Sequence, residues 1–274
     1  MMKCLITGST SGLGLETTKA LAKLGYELIL IGRSKNKLDS LKTSLITEHN
    51  CVIDTYTCDL SLISETIQTA KKIKDKYTEI DILINNAGGI FMDHEITKEG
   101  LEMTFALNHM SYFVLTNYLL GCVKKKIINV ASEAHRGVEI SSDFSNPKYF
   151  NGWRQYKKSK LANIYFTYHL NKLLSNSNSV VTVNCLHPGV VNTNIANNNR
   201  NLFYKLISSF IKFFAISSKQ GASTIIALAS DSIFDEISGL YFIKSKPVKS
   251  STISYDDDIA ESLWTSSHEI WKTM

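Results

Sequence analysis

Proline is scarce here, with three residues in 274, and no low-complexity tract accompanies it. A disordered or linker-rich chain is therefore excluded. Cysteine is limited to Cys4, Cys51, Cys58, Cys122 and Cys185. The count is odd, the spacings are wide and there is no C-x-x-C, which excludes a disulfide framework and a zinc site. Three of the thiols sit in apolar, strand-like runs, where cysteine behaves as a small buried hydrophobe. A reducing, cytoplasmic setting is expected. No stretch reaches the roughly 18–20 apolar residues that span a bilayer. The apolar start Cys4-Leu5-Ile6 runs straight into a glycine loop, without the pattern of a secretory signal. Charge of one sign is also lacking: 30 basic against 25 acidic residues leave +5, scattered along the chain. With no basic stripe interleaved with aromatics, nucleic acid is not an expected partner.

What remains is 44% hydrophobic and 20% charged, the balance of a globular protein. One domain over residues 1–274 is expected. Short apolar runs mark strands at Lys3–Thr7, Glu27–Gly32, Val52–Cys58, Asp81–Asn85, Lys126–Ala131, Val180–Leu186 and Leu240–Ile243. Helical periodicity fills most of the gaps: Leu13–Leu24, Lys35–Glu48, Ser61–Tyr77 and Thr97–Leu120. The alternation predicts an α/β, Rossmann-type, doubly wound domain: a seven-stranded parallel sheet with helices on both faces. The strands are apolar throughout rather than alternating, as both-sided burial requires. The rhythm breaks at about 192–220, which reads as an insertion before the last strand.

The first strand ends in Thr7-Gly8-Ser9-Thr10-Ser11-Gly12-Leu13-Gly14 and a helix follows. Gly8 allows the tight turn, Gly12 lets the backbone approach a pyrophosphate, and Gly14 lets helix and sheet pack closely. The free N–H groups of the helix start would face the phosphates. The second strand ends in Ile31-Gly32-Arg33-Ser34. An acidic residue there would grip a ribose 2′-hydroxyl; a guanidinium suits a 2′-phosphate, so NADP(H) is the expected cofactor. A merely solvated arginine is the bland alternative. Asp59, before Leu60 at the end of the third strand, is placed to meet the adenine or to cap the next segment.

Tyr156 and Lys160 lie four apart on a helix and share a face. The ammonium would stabilise a phenolate and pull the tyrosine below its usual value of about 10, making Tyr156 a general acid or base. Ser132 ends the fifth strand at Asn129-Val130-Ala131-Ser132, in the crevice where open α/β sheets bind ligands. Asn85-Asn86-Ala87-Gly88 ends the fourth. Asn108 sits mid-helix despite a poor propensity for it, which invites a functional reading.

Taken together, the chain resembles a short-chain dehydrogenase/reductase. The glycine loop, Asn-Asn-Ala-Gly, the strand-end serine, Tyr-x-x-x-Lys and Pro188-Gly189 come in that family's order, and the likeness covers essentially the whole chain. Leu107-Asn108-His109, Ser132-Glu133-Ala134-His135-Arg136-Gly137, the run Tyr156 to Asn163 and His187 to Thr193 are similar to the retinol dehydrogenase branch, with the WW-domain-containing oxidoreductase and protochlorophyllide reductase-like enzymes. The sequence departs where the branch's paired serine is Ala131-Ser132. An N-terminal membrane anchor of the kind many retinol dehydrogenases carry is not expected.

The resemblance implies roles. Tyr156 would protonate the carbonyl oxygen and Ser132 would hydrogen-bond it. Lys160 would lower the tyrosine pKa and grip the nicotinamide ribose, and Asn108 would hold a relay water. Asn85, Asn86, Ala87 and Gly88 would line the cofactor, and Val191 and Thr193, after Pro188-Gly189, would orient the carboxamide. It also implies a homo-oligomer built through the helices carrying Asn108 and Tyr156.

Leu202 to Ile216 is broadly aromatic with a narrow face of Lys205, Ser208, Ser209 and Lys212. It reads as a lid over a lipophilic substrate, a packed interface or a peripheral membrane contact. His94, His109, His135 and His187 lack metal-ligand spacing and read as structural or supporting. Asp256-Asp257-Asp258 reads as a helix cap, and Trp264 and Trp271 as a packed face. No metal is expected. The expected function is NADPH-dependent reduction of an apolar aldehyde or ketone. An NADP(H)-binding sensor or scaffold without turnover, and an NAD-dependent alcohol dehydrogenase, are the rivals.

Overall fold

A computed structural model describes residues 1–140, 144–189 and 217–274. Most of the expected insertion, the Val191 and Thr193 positions and the aromatic stretch 202–216 lie outside the described residues.

Strands and helices alternate as expected: β1 (Lys3–Thr7), α1 (Gly12–Lys23), β2 (Glu27–Gly32), α2 (Lys35–His49), β3 (Ile53–Thr57), α3 (Ile63–Lys76) and β4 (Ile80–Asn85). Then come α4 (Met103–Phe105), a π-helical turn (Ala106–Met110), α5 (Ser111–Leu119), β5 (Val123–Val130), α6 (Gly152–Asn176) and β6 (Thr182–His187). The chain closes with α7 (Ser218–Ser230), β7 (Tyr241–Ile243), β8 (Lys246–Val248) and α8 (Asp257–Lys272).

The sheet order is β3-β2-β1-β4-β5-β6-β7-β8. Among the described residues seven strands run parallel, and the expected count of seven is corrected by an eighth, which pairs antiparallel with β7. Lys244 and Ser245 join the two, both at positive φ (51° and 58°), the pattern of a type I′ hairpin whose twist matches the strands. The sequence hid this strand because it is three exposed residues, Lys246-Pro247-Val248. A proline there is tolerated on a sheet edge.

Both faces of the sheet are covered, and neighbouring residues of one strand serve opposite cores. Leu28 and Leu30 pack with α1, α2 and α7 side chains, whereas Ile29 and Ile31 pack with those of α3, α5 and α6. This explains the unbroken apolar runs. All five cysteines are buried and free.

The order reverses between β1 and β4, and the ends of these two strands open a crevice there. The crevice is tied shut at its base. Thr7 Oγ1 accepts from the N–H groups of Asn86 (2.8 Å) and Ala87 (3.0 Å). Asn86 Nδ2 donates back to the Thr7 carbonyl (2.8 Å).

Candidate active site

The glycine loop folds for the reasons its spacing suggests. Gly8 and Gly12 take φ of +66° and +53°. A Cβ on Gly14 would lie 2.2 Å from the Gly8 carbonyl oxygen, so only glycine lets α1 reach the loop. Ser11 precedes α1 without a side-chain capping bond among the described residues, and the first turn carries no acid. The N–H groups at this helix start are thus open to an anion.

They face a cavity of about 260 Å³. Thr10, Ser11, Gly12 and Leu13 form one wall, with Gly8 at its base; Asn86, Ala87 and Gly88 form another. Arg33 and Ser34 close one end, and Leu60 lies beside them. Residues expected at a cofactor thus line one cavity, and the donor set fits a dinucleotide: backbone N–H groups for a pyrophosphate, cations beyond them.

Three expected residues make other contacts. Ser9 is fully buried, its hydroxyl donating to the Ile31 carbonyl, so it shapes the loop from behind. Asp59 is not among the lining residues: its Oδ1 accepts from Ser61 N–H (3.0 Å) and Oγ (2.7 Å), the capping role expected as one of its two readings, while Cys58 and Leu60 face the cavity. It caps this turn, while Glu99 receives the first N–H groups of α3, from Ile63 and Ser64. Asn85 lies beneath the cavity, donating to Thr116 Oγ1 and Asn129 Oδ1 (both 2.9 Å).

Four lining residues escaped the sequence reading: Gly32, Lys37, Cys58 and Leu107. Lys37 is the one of these that carries charge. It stands in the first turn of α2, where its N–H donates to Ser34 Oγ (3.4 Å), the residue next to Arg33.

The second half of the site comes from β5, α6 and the π turn. Ser132 follows β5 with an extended backbone, and its Oγ accepts from Ala134 N–H (3.1 Å). Its own proton is left to turn toward the Tyr156 oxygen, whose pKa the Ser132 hydroxyl lowers. Lys160 lies one turn after Tyr156, its Nζ 5.8 Å from the Tyr156 ring centre and 3.0 Å from the Val130 carbonyl.

Asn108 sits in the π turn, a distortion often found at functional sites. Its carboxamide accepts from Gly89 N–H (2.8 Å) and donates to the Gly89 carbonyl and Ser159 Oγ (both 2.9 Å). It therefore fixes the β4 loop against α6. A Cβ on Gly88 would sit 3.2 Å from Asn108 Oδ1 and 3.5 Å from Lys160 Nζ, so cavity and catalytic group meet at that glycine. Pro188 and Gly189 follow β6, Gly189 at φ +92°. One neighbour was missed: the half-exposed Trp153 ring stacks on Tyr156, centres 5.6 Å apart.

Burial governs the electrostatics. It pulls Lys160 down to about 8. It also pushes the Tyr156 hydroxyl up, with the Ser132 hydrogen bond pulling back. The expected depression of Tyr156 by Lys160 is corrected: desolvation of the phenolate is the larger influence. Tyr156 is thus a neutral hydroxyl at neutral pH, a proton donor rather than a standing base.

A doubly wound sheet with a phosphate-binding glycine loop, and a Ser–Tyr–Lys group where that cavity ends, defines a nucleotide-dependent oxidoreductase. Residues 3–202 match the short chain dehydrogenase family model. The chain belongs to that family, in its retinol dehydrogenase-like branch. It is 31% identical to the polyprenol dehydrogenase of Homo sapiens, over 97% of this chain and 84% of that one. It is 33% identical to retinol dehydrogenase 13 of Homo sapiens, over 96% and 82%. An uncharacterised protein from Mycobacterium paratuberculosis has the same fold, with a TM-score of 0.80 at 27% identity, covering 99% of this chain and 94% of that one. The family transfers hydride between a nicotinamide cofactor and a CH–OH or C=O group.

Proposed function

We propose that the protein is an NADP(H)-dependent oxidoreductase that reduces an apolar aldehyde or ketone. The observation that carries the cofactor choice is the Arg33–Ser34–Lys37 end of the cavity. Two cations and a hydroxyl surround the place where a carboxylate would select NAD. NADPH supplies the hydride when bound. The protein's residues do the rest. Tyr156 gives its proton to the substrate oxygen, Ser132 donates a hydrogen bond to it, and the Lys160 ammonium stabilises the negative charge that forms. The Trp153 ring beside Tyr156 and the polyprenol and retinol dehydrogenases among its relatives support a lipophilic substrate.

The test has two arms on the full chain. Dissociation constants for NADPH and NADH should differ by at least about tenfold, as one charge-assisted contact supplies. NADPH oxidation should proceed with aldehydes and ketones, faster with longer apolar chains, and vanish in Tyr156→Phe. Equal binding of the two cofactors overturns the NADP choice. Turnover that survives Tyr156→Phe overturns the assignment of the proton donor.

A further inference from the structure

Behind Ser132 lies a fully buried histidine that the proposed chemistry does not use. His135 Nδ1 is 2.7 Å from the Ser132 carbonyl oxygen. Its Nε2 is 3.0 Å from the backbone nitrogen of Ser251. A backbone N–H only donates, so Nε2 is the bare nitrogen and Nδ1 carries the proton. The imidazole is therefore a neutral strut. It accepts from the segment after β8 and donates to the catalytic turn. The Ser132 carbonyl receives a second bond from the His135 N–H (3.1 Å).

The same turn is tied down on its other side. The Tyr241 ring meets His135 edge-on, centres 5.3 Å apart, and its hydroxyl donates to Glu133 Oε1 (2.8 Å). Glu133 pairs with Arg136 (2.9 Å), and that guanidinium donates to the Lys249 carbonyl (2.9 Å). Two independent ties thus join the Ser132 turn to residues 249–251. Neither reaches the cofactor cavity.

We infer that His135 is a positioning residue for Ser132: by bridging the Ser132 carbonyl to the Ser251 N–H it fixes the rotation of the turn that aims Ser132 Oγ at Tyr156. This rests on the proposed reaction. An error of about 1 Å in such aim costs up to about 100-fold in rate. Cofactor binding needs none of it.

The experiment measures kcat, KM and the NADPH dissociation constant for Ser132→Ala, His135→Ala and the double variant. His135→Ala should lower kcat by about 10- to 100-fold while NADPH binding stays within about twofold. The double variant should fall no lower than Ser132→Ala alone, because His135 acts only through that hydroxyl. Losses that multiply, weakened NADPH binding or an unchanged kcat overturn the inference. Two further variants guard against a misfolded alanine variant. In His135→Asn the amide replaces Nδ1 and keeps the Ser132 bond; in His135→Gln it reaches the Nε2 place and keeps only the Ser251 bond. Asn should restore more of kcat than Gln, and the reverse order overturns the inference.

Absence of all turnover in the wild type would sink the proposed reaction instead. Nitrogen NMR of the His135 ring is independent of turnover. A proton on Nδ1 with Nε2 accepting supports the strut, and a proton on Nε2 removes it.

Discussion

The Lys160 ammonium donates to the Val130 carbonyl at 3.0 Å, and only 4% of the residue is exposed. Its carbonyl partner also receives Asn163 Nδ2 at 3.4 Å. One shared neutral acceptor compensates poorly for a charge taken out of water, so Lys160 is held at about 8 against an ordinary lysine value of 10.5. Below about 8, folded and unfolded chains both hold the proton and the fold bears the full cost of burying the charge. Between those two values only the unfolded chain holds it, and that cost falls as pH rises. Lys160→Met should therefore raise stability at neutral pH by about 1–3 kcal/mol while abolishing turnover. A thermal melt beside an NADPH oxidation assay checks both. In the native enzyme the reduction rate should fall as pH rises through about 8, where Lys160 loses its charge.

Gly14 and the Gly8 carbonyl leave no room for a methyl group, since a Cβ would stand 2.2 Å from that oxygen and 2.5 Å from Asn86 Nδ2. Relief would require moving the loop or breaking the tie between Asn86 and Thr7. Gly14→Ala should cost about 2–4 kcal/mol of stability and remove measurable NADPH binding. Gly25→Ala is not an equivalent control for crowding: Gly25 has open space but a φ of +80°. Its penalty would be backbone strain, with cofactor affinity kept. Titration calorimetry on the two variants separates these cases.

Lys37→Ala isolates the charge that the sequence did not announce. Lys37 lines the same end of the cavity as Arg33. The variant should weaken NADPH by about tenfold, the worth of one charge-assisted contact, and leave NADH unchanged. An equal loss for both cofactors would place Lys37 on the shared pyrophosphate instead.

The glycine loop and Ser132 were legible because they sit where a strand ends, and Tyr156 and Lys160 because residues four apart share a face of one helix, here α6. Asp59 had two readings because a residue after a strand can face either the crevice or its own turn, and the contact with Ser61 N–H is the second of them. The π turn around Asn108 hid inside an apolar helical pattern, which changes little when one turn widens. His135 carries no signal in spacing at all. Its partner, Ser251, lies 116 residues on, and only the folded sheet brings them together.

The surface expected to join subunits is occupied within the chain. Helix α8 lies over α5 and α6, begun by Asp256, which accepts from Ile259 N–H as its cap (3.0 Å). Trp264 stacks on Phe166 (5.7 Å) and meets Phe113 edge-on (4.9 Å), and Trp271 reaches Phe113 from the next turns. Ser267, between them, hydrogen-bonds His109 Nε2 (2.9 Å) in the π turn. An assembly through α5 and α6 would have to displace these rings, exposing apolar surface before any is buried again. The full chain should therefore not associate through this face, and Trp264→Ala should lose about 2–4 kcal/mol without changing mass in solution. Removal of residues 257–274 should bare Phe113 and Phe166 and drive concentration-dependent association. Light scattering on the three proteins decides the matter. A wild-type dimer that Trp264→Ala dissociates would show that α8 supports an interface rather than replacing one.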